Sequence, residues 1–320
     1  MFQPVVDALI PVVLLIAIGF LSGRLGFIKA SAVKDLSNLV FLVLTPALLF
    51  RTMSTVHIEQ LDFRPVAIYF VAAGLIFASI LVLRGFNRRA AVLALASTFS
   101  NTLMIGVPLV GLAYGEAGLV VLFTLVSVHA LVLLTSATLV LEFAVAREAA
   151  GGQATPRHIA LTVARAARSA VLHPVPLPII AGLLFAQTGL SLPAVVDKPL
   201  QLLGSAFSPL ALVLVGVTLA STAIGPHLKG ALALSLVKNV VHPVLLALIA
   251  WALGLSGLTL LVMVVTAALP IGANVFLFSQ RYQVAEELVT ASVAVSSLLG
   301  LLTVSAVMAL LTAFPNFTGG

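Results

Sequence analysis

Two short polar islands interrupt an otherwise apolar sequence. The first is Ser100-Asn101-Thr102-Leu103-Met104-Ile105-Gly106-Val107-Pro108, and the second is Pro270-Ile271-Gly272-Ala273-Asn274. Each combines an asparagine, a proline and an Ile-Gly pair, with the Asn ahead of the Pro in one and behind it in the other. Proline lacks an N–H and clashes with the carbonyl four residues back, so each island should break a helix. In lipid a break survives only where it is packed in protein or lines a cavity. An asparagine amide at such a break offers both donors and acceptors. A helix that restarts beyond it points a positive dipole end at whatever lies there, which suits an anion. Asn101, Gly106, Pro108, Pro270, Gly272 and Asn274 are therefore candidate substrate-binding residues, against the alternative that both islands are packing kinks. Lys238 and His242 join them, one turn apart on one helix face. Lys238 is nine residues past Lys229, so about 13 Å along the helix. A buried ammonium is a functional candidate; the alternative is a side chain that snorkels to the surface.

Other chemistries lack their residues. No HExxH, GxSxG or paired mid-helix aspartate occurs, so no enzyme is expected. The absence of cysteine removes disulfides, thiolate metal sites and cysteine nucleophiles. Without a GxxxxGK[ST] loop there is no ATP-driven pump. His57, His158, His173 and His227 are too dispersed for a metal site, and no cofactor is expected. His129 reads more naturally as an interhelical hydrogen bond than as a proton carrier. Gly19 and Gly23 form a GxxxG pair, a sign of close helix packing. The acids Asp7, Asp35, Glu59, Asp62, Glu116, Glu142, Glu148, Asp197, Glu286 and Glu287 all fall in loops or near helix ends. No carboxylate sits at mid-depth, where proton or sodium coupling usually places one; sodium held by carbonyls and asparagines stays open.

The elements that hold these residues follow from composition. The chain has 320 residues, 61% hydrophobic and 8% charged, with 16 basic and 10 acidic side chains. A soluble chain this long would carry about 80 charges. Mean hydropathy is +1.24. A soluble globule and a disordered chain are both excluded, and the scattered basic residues give no nucleic-acid patch. Apolar runs of about 20 residues predict ten membrane helices: 5–23, 33–52, 63–83, 90–113, 117–141, 174–190, 199–221, 231–254, 257–280 and 286–313. Uniformly apolar runs disfavour a β-barrel. The first run, with no basic residue before it, reads as a retained helix rather than a signal peptide. One set of loops holds 12 Lys and Arg and the other only Arg51, Arg64 and Lys198. The positive-inside rule then puts both termini outside, in a multi-pass protein of the cell inner membrane.

A polar stretch at 147–172 divides the chain into a five-helix repeat at 1–146 and a second at 173–320. Arg157, Arg165 and Arg168 share one helical face there, suiting a basic interfacial helix on an anionic leaflet; a plain linker is the alternative. Five helices per half turn the second half upside down, the plan of an inverted-repeat transporter. The second helix of each half also carries a hydroxyl–proline pair, Thr45-Pro46 and Ser208-Pro209.

Ser100 to Leu109 resembles the fourth helix of the auxin efflux carrier family, and Ala268 to Phe276 resembles its ninth. Gly182-Leu183-Leu184, Leu192-Pro193-Ala194 and Leu202-Leu203-Gly204-Ser205-Ala206 are similar to its sixth and seventh helices. The likeness covers nearly the whole chain through the order and spacing of these motifs. It implies an all-α integral membrane fold of ten helices in two inverted five-helix repeats. It also implies broken helices four and nine that cross at the midplane, and carriage of organic anions such as auxin or malonate. The Asn-Pro-Asn form of the plant members is missing, which weakens auxin as the expected substrate. The lack of a long cytosolic loop points to the short bacterial members. A secondary carrier of a small organic anion, embedded in the lipid bilayer and working by alternating access, is the expectation. The alternatives are a bile acid:sodium symporter-like carrier and a non-transporting receptor or scaffold; a homodimer is left open.

Overall fold

The computed structural model describes residues 3–56, 58–149, 176–222 and 225–313, and every regular element among them is helical. The helices are α1 (Gln3–Arg24), α2 (Ala32–Met53), α3 (Arg64–Arg84), α4 (Arg88–Ala96), α5 (Val107–Ala149), α6 (Pro176–Ala186), α7 (Ala194–Ser221), α8 (Gly225–Ala252), α9 (Gly257–Ala268), α10 (Asn274–Tyr282) and α11 (Glu286–Ala313). Six helical stretches are long and apolar enough to cross a membrane: Ala32–Met53, Arg64–Arg84, Thr102–Ala144, Ala194–Ser221, Gly225–Ala252 and Glu286–Leu311. Leu9–Arg24, Pro176–Ala186 and Gly257–Ala268 are shorter apolar helices. Outward faces such as Ile10, Leu14 and Ile18 of α1 are exposed, as a lipid-facing surface requires.

The backbone leaves the helical region at Gly115 (φ 61°, ψ −155°), between the expected helices at 90–113 and 117–141. Glycine tolerates this conformation without a Cβ clash. Beyond Gly115 the helix runs to Ala149, further than its apolar run suggests. The expected interfacial helix around Arg157, Arg165 and Arg168 lies outside the described residues.

Three prolines follow a widened turn. π-Helical turns at Val40–Leu44, Thr102–Gly106 and Val237–Val241 lead into Pro46, Pro108 and Pro243. A proline ring would collide with the carbonyl four residues back, and an i→i+5 turn relieves that clash. At the first of these the Thr45 hydroxyl donates to the Val40 carbonyl at 2.7 Å. The Thr45 N–H donates to the same carbonyl, so the hydroxyl reinforces the widened turn just before the proline.

Helices α1 and α7 approach until backbone meets backbone. A Cβ at Gly19 would sit 2.0 Å from the Val213 carbonyl oxygen, and one at Gly216 would sit 2.0 Å from that of Ile16. Any side chain there must push the helices apart, and overpacking costs about 1–3 kcal/mol. Gly19→Leu should therefore lower the Tm of the detergent-purified protein. Gly74→Leu, where a Cβ meets nothing within 4 Å, should not; equal Tm values would remove this contact as a structural constraint.

Candidate functional site

The two polar islands meet. Helix α4 ends at Ala96, and the chain runs irregularly through Ser97–Asn101 before the π turn into α5. Helix α9 ends at Ala268 and α10 begins at Asn274. The intervening segments pair antiparallel at Ser100 and Ile271. The Asn101 N–H donates to the Pro270 carbonyl at 2.8 Å, and the Gly272 N–H donates to the Phe99 carbonyl at 2.9 Å. Each break thus satisfies backbone groups that the other leaves open, the condition for irregular backbone inside a membrane protein. Gly272 permits the approach, since a Cβ there would lie 2.7 Å from the Phe99 ring and 3.1 Å from the Ser100 carbonyl oxygen.

A cleft opens on one side of this crossing. Asn101, Thr102, His129, Gly272 and Asn274 help to line it, with Phe41 and Phe99 as apolar walls. Two helix N-termini face it, the π turn at Thr102–Gly106 that leads into α5 and the first turn of α10. The Asn101 Oδ1 accepts from the Met104 N–H at 3.3 Å and so caps the restarted helix. Pro108 follows the π turn, whose wider loop keeps its ring clear of the carbonyl four residues back. Gly106 lies against the opposite break: a Cβ there would sit 2.8 Å from Leu269 Cδ1. The cavity volume is about 40 Å³, room for a few water molecules at roughly 10–15 Å³ each.

Lys238 and His242 sit behind the crossing rather than among the cleft-lining residues. Lys238 is wholly buried. Its Nζ donates to the Ala267 carbonyl at 2.6 Å and the Leu269 carbonyl at 2.8 Å, so it caps the C-terminal end of α9. Asn239 Nδ2 donates to the Ser296 carbonyl at 2.8 Å, and Ser296 Oγ accepts from the Ile271 N–H at 2.9 Å. His242 packs its ring 5.1 Å from that of Tyr69. Neither His242 nitrogen has a hydrogen-bond partner among the described residues, although both are buried.

Sequence reasoning passed over Tyr69 and Ser296 and gave Ser100 no role beyond its place in the first island. The Tyr69 hydroxyl shares hydrogen bonds with Ser100 Oγ at 2.8 Å and His129 Nε2 at 3.4 Å. Tyr69 was the findable one, because a phenol inside an apolar helix needs a buried partner. His129 makes the expected interhelical bond and also lines the cleft. A larger cavity of about 490 Å³ lies apart from the crossing, lined by Arg51, Glu116 and Asp197. There Arg51 holds Asp197 in a two-point ion pair at 2.7 and 3.3 Å.

The family profile described as "Membrane transport protein" matches residues 4–308. A protein of Rhizobium meliloti (strain 1021) named "Putative malonate transporter" is 30% identical over 309 residues, which cover 93% of this chain and 92% of that one. With apolar helices among the described residues of the matched length, the chain belongs to the membrane transport family of the auxin efflux carriers and is a multi-pass membrane protein.

Proposed function

We propose that the chain is a secondary carrier of a small organic anion, a mono- or dicarboxylate, in the cell inner membrane. Ten spans form two inverted five-helix repeats, 1–146 and 173–320, joined by a cytoplasmic linker, with both termini outside. The observation that carries the reading is the meeting of two interrupted helices over one cleft lined by Asn101 and Asn274. Two helix N-termini there favour negative charge, and no carboxylate among the described residues lines the cleft. Asn101 and Asn274 donate to the substrate, Gly106 and Gly272 allow the close approach, and Pro108 and Pro270 hold the helices open. Lys238 and His242 support the site from behind. The cleft is too small for a dicarboxylate as it stands, so loading requires the crossing to open, as in alternating access. The relative's name supports malonate as the first substrate to try.

Two experiments test this. Purified protein in liposomes should take up radiolabelled malonate faster than protein-free liposomes and should not take up a matched organic cation. Selective cation uptake would reverse the charge assignment. For topology, cysteines placed singly at Gly152 and Gly320 should label from opposite faces in cells; labelling from one face would overturn the inverted-repeat arrangement.

A further inference from the structure

An anion entering the cleft must find a counter-charge. Leaving water unpaired costs it several kcal/mol, and neutral amides and helix ends offset that in part. His129 is the one titratable side chain among the described residues that line the cleft. Its imidazole is the side-chain type that gains and loses a proton near neutral pH. It is buried apart from its place in the cleft wall, with the Phe99 ring tilted against it at 4.6 Å and the Tyr69 ring 5.7 Å away. The titratable groups around it are Tyr69 from α3, and Lys238 and His242 from α8; no carboxylate among the described residues lines the cleft beside it.

The hydrogen bonds of His129 suit either protonation state. When Nε2 carries no proton, it accepts from the Tyr69 hydroxyl, and Ser100 donates to the Tyr69 oxygen. When Nε2 carries one, it donates to the Tyr69 oxygen, and Tyr69 donates to Ser100. The same heavy atoms, at 3.4 and 2.8 Å, serve both patterns because each hydroxyl can donate or accept. A proton can therefore arrive and leave without orphaning a buried polar atom.

We propose that His129 is the proton-binding group of the carrier and that the anion crosses together with one proton. This rests on the organic-anion reading above. The imidazole takes a proton from water on the entry side as the carboxylate binds, and returns it to water on the exit side as the carboxylate leaves. No bond other than N–H changes. Anion and proton share one cleft with opposite charges, so each favours the other's binding, a reciprocal coupling.

The test uses the full chain in liposomes, radiolabelled malonate as probe, and the membrane potential clamped at zero with valinomycin and equal potassium. With the lumen one pH unit more alkaline than the bath, the wild type should concentrate malonate about tenfold above protein-free liposomes, the limit for one proton per molecule. His129→Asn, which cannot carry the proton, should bring that ratio to about one. Should His129→Asn not transport at all, Tyr69→Phe decides. It keeps the imidazole but removes the hydroxyl that serves both states, and should shift the pH of half-maximal uptake; an unchanged profile overturns the proposal. Wild-type malonate flux that equilibrates without concentration overturns proton coupling and leaves the carrier standing. Wild-type liposomes no faster than protein-free ones overturn the carrier reading for carboxylates, and this proposal with it. Concentration by His129→Asn equal to wild type removes His129 as the site.

Discussion

Asn101→Ala and Asn274→Ala should each slow malonate uptake about ten- to hundredfold while the protein remains folded. At the proposed site each would lose one or two hydrogen bonds to the substrate, worth about 1.5–3 kcal/mol to a charged group, and every 1.4 kcal/mol is about tenfold in affinity. Asn101 also caps the restarted helix through Met104, and losing a cap costs about 1 kcal/mol of stability. The aspartate variant separates the two roles. Asp is as good a cap as Asn, yet it puts a like charge beside the anion. Uptake by Asn101→Asp should therefore fall below that of Asn101→Ala while its Tm stays nearer to wild type. Uptake by the aspartate variant at the wild-type rate would make Asn101 a cap and nothing more.

Lys238→Met should produce the larger loss of stability. The wild-type Nζ serves two carbonyls at the end of α9, both enclosed in protein. Methionine fills much of the space and donates nothing, leaving two buried acceptors at about 1–3 kcal/mol each. We expect a clear fall in Tm in detergent, accompanied by loss of malonate uptake. Lys238→Gln, which keeps a donor, should recover part of the Tm. A Tm for Lys238→Met equal to wild type would show that the Lys238 Nζ does not hold the break in place.

The breaks were legible because they rest on local chemistry. Proline and glycine types dictate where a helix must stop, and the asparagines beside them announce a need for polar partners. Which backbone group meets which was not legible: the pairing of Ser100 with Ile271 spans 171 positions and depends on how two helices cross. Lys238 shows the same limit. Its depth could be counted from Lys229, but snorkelling and capping predict the same sequence. The neighbour that decides is α9, whose freed carbonyls lie within reach. The sequence predicts an interhelical bond for His129, which it makes, but does not tell which face of α5 turns to a cleft built by two other segments. The π turns before Pro46, Pro108 and Pro243 went unread because proline signals a disturbance without saying whether the helix kinks, stops or widens.

We propose the crossing of the two broken helices as the place where the anion binds. The most direct measurement is an experimental structure of the full chain with malonate bound. Density for malonate is expected in the cleft, its carboxylates within hydrogen-bond reach of Asn101 and Asn274, beside the π turn that leads into α5 and the first turn of α10. Malonate bound instead in the larger cavity beside Arg51 and Asp197, with the crossing unoccupied, would contradict it.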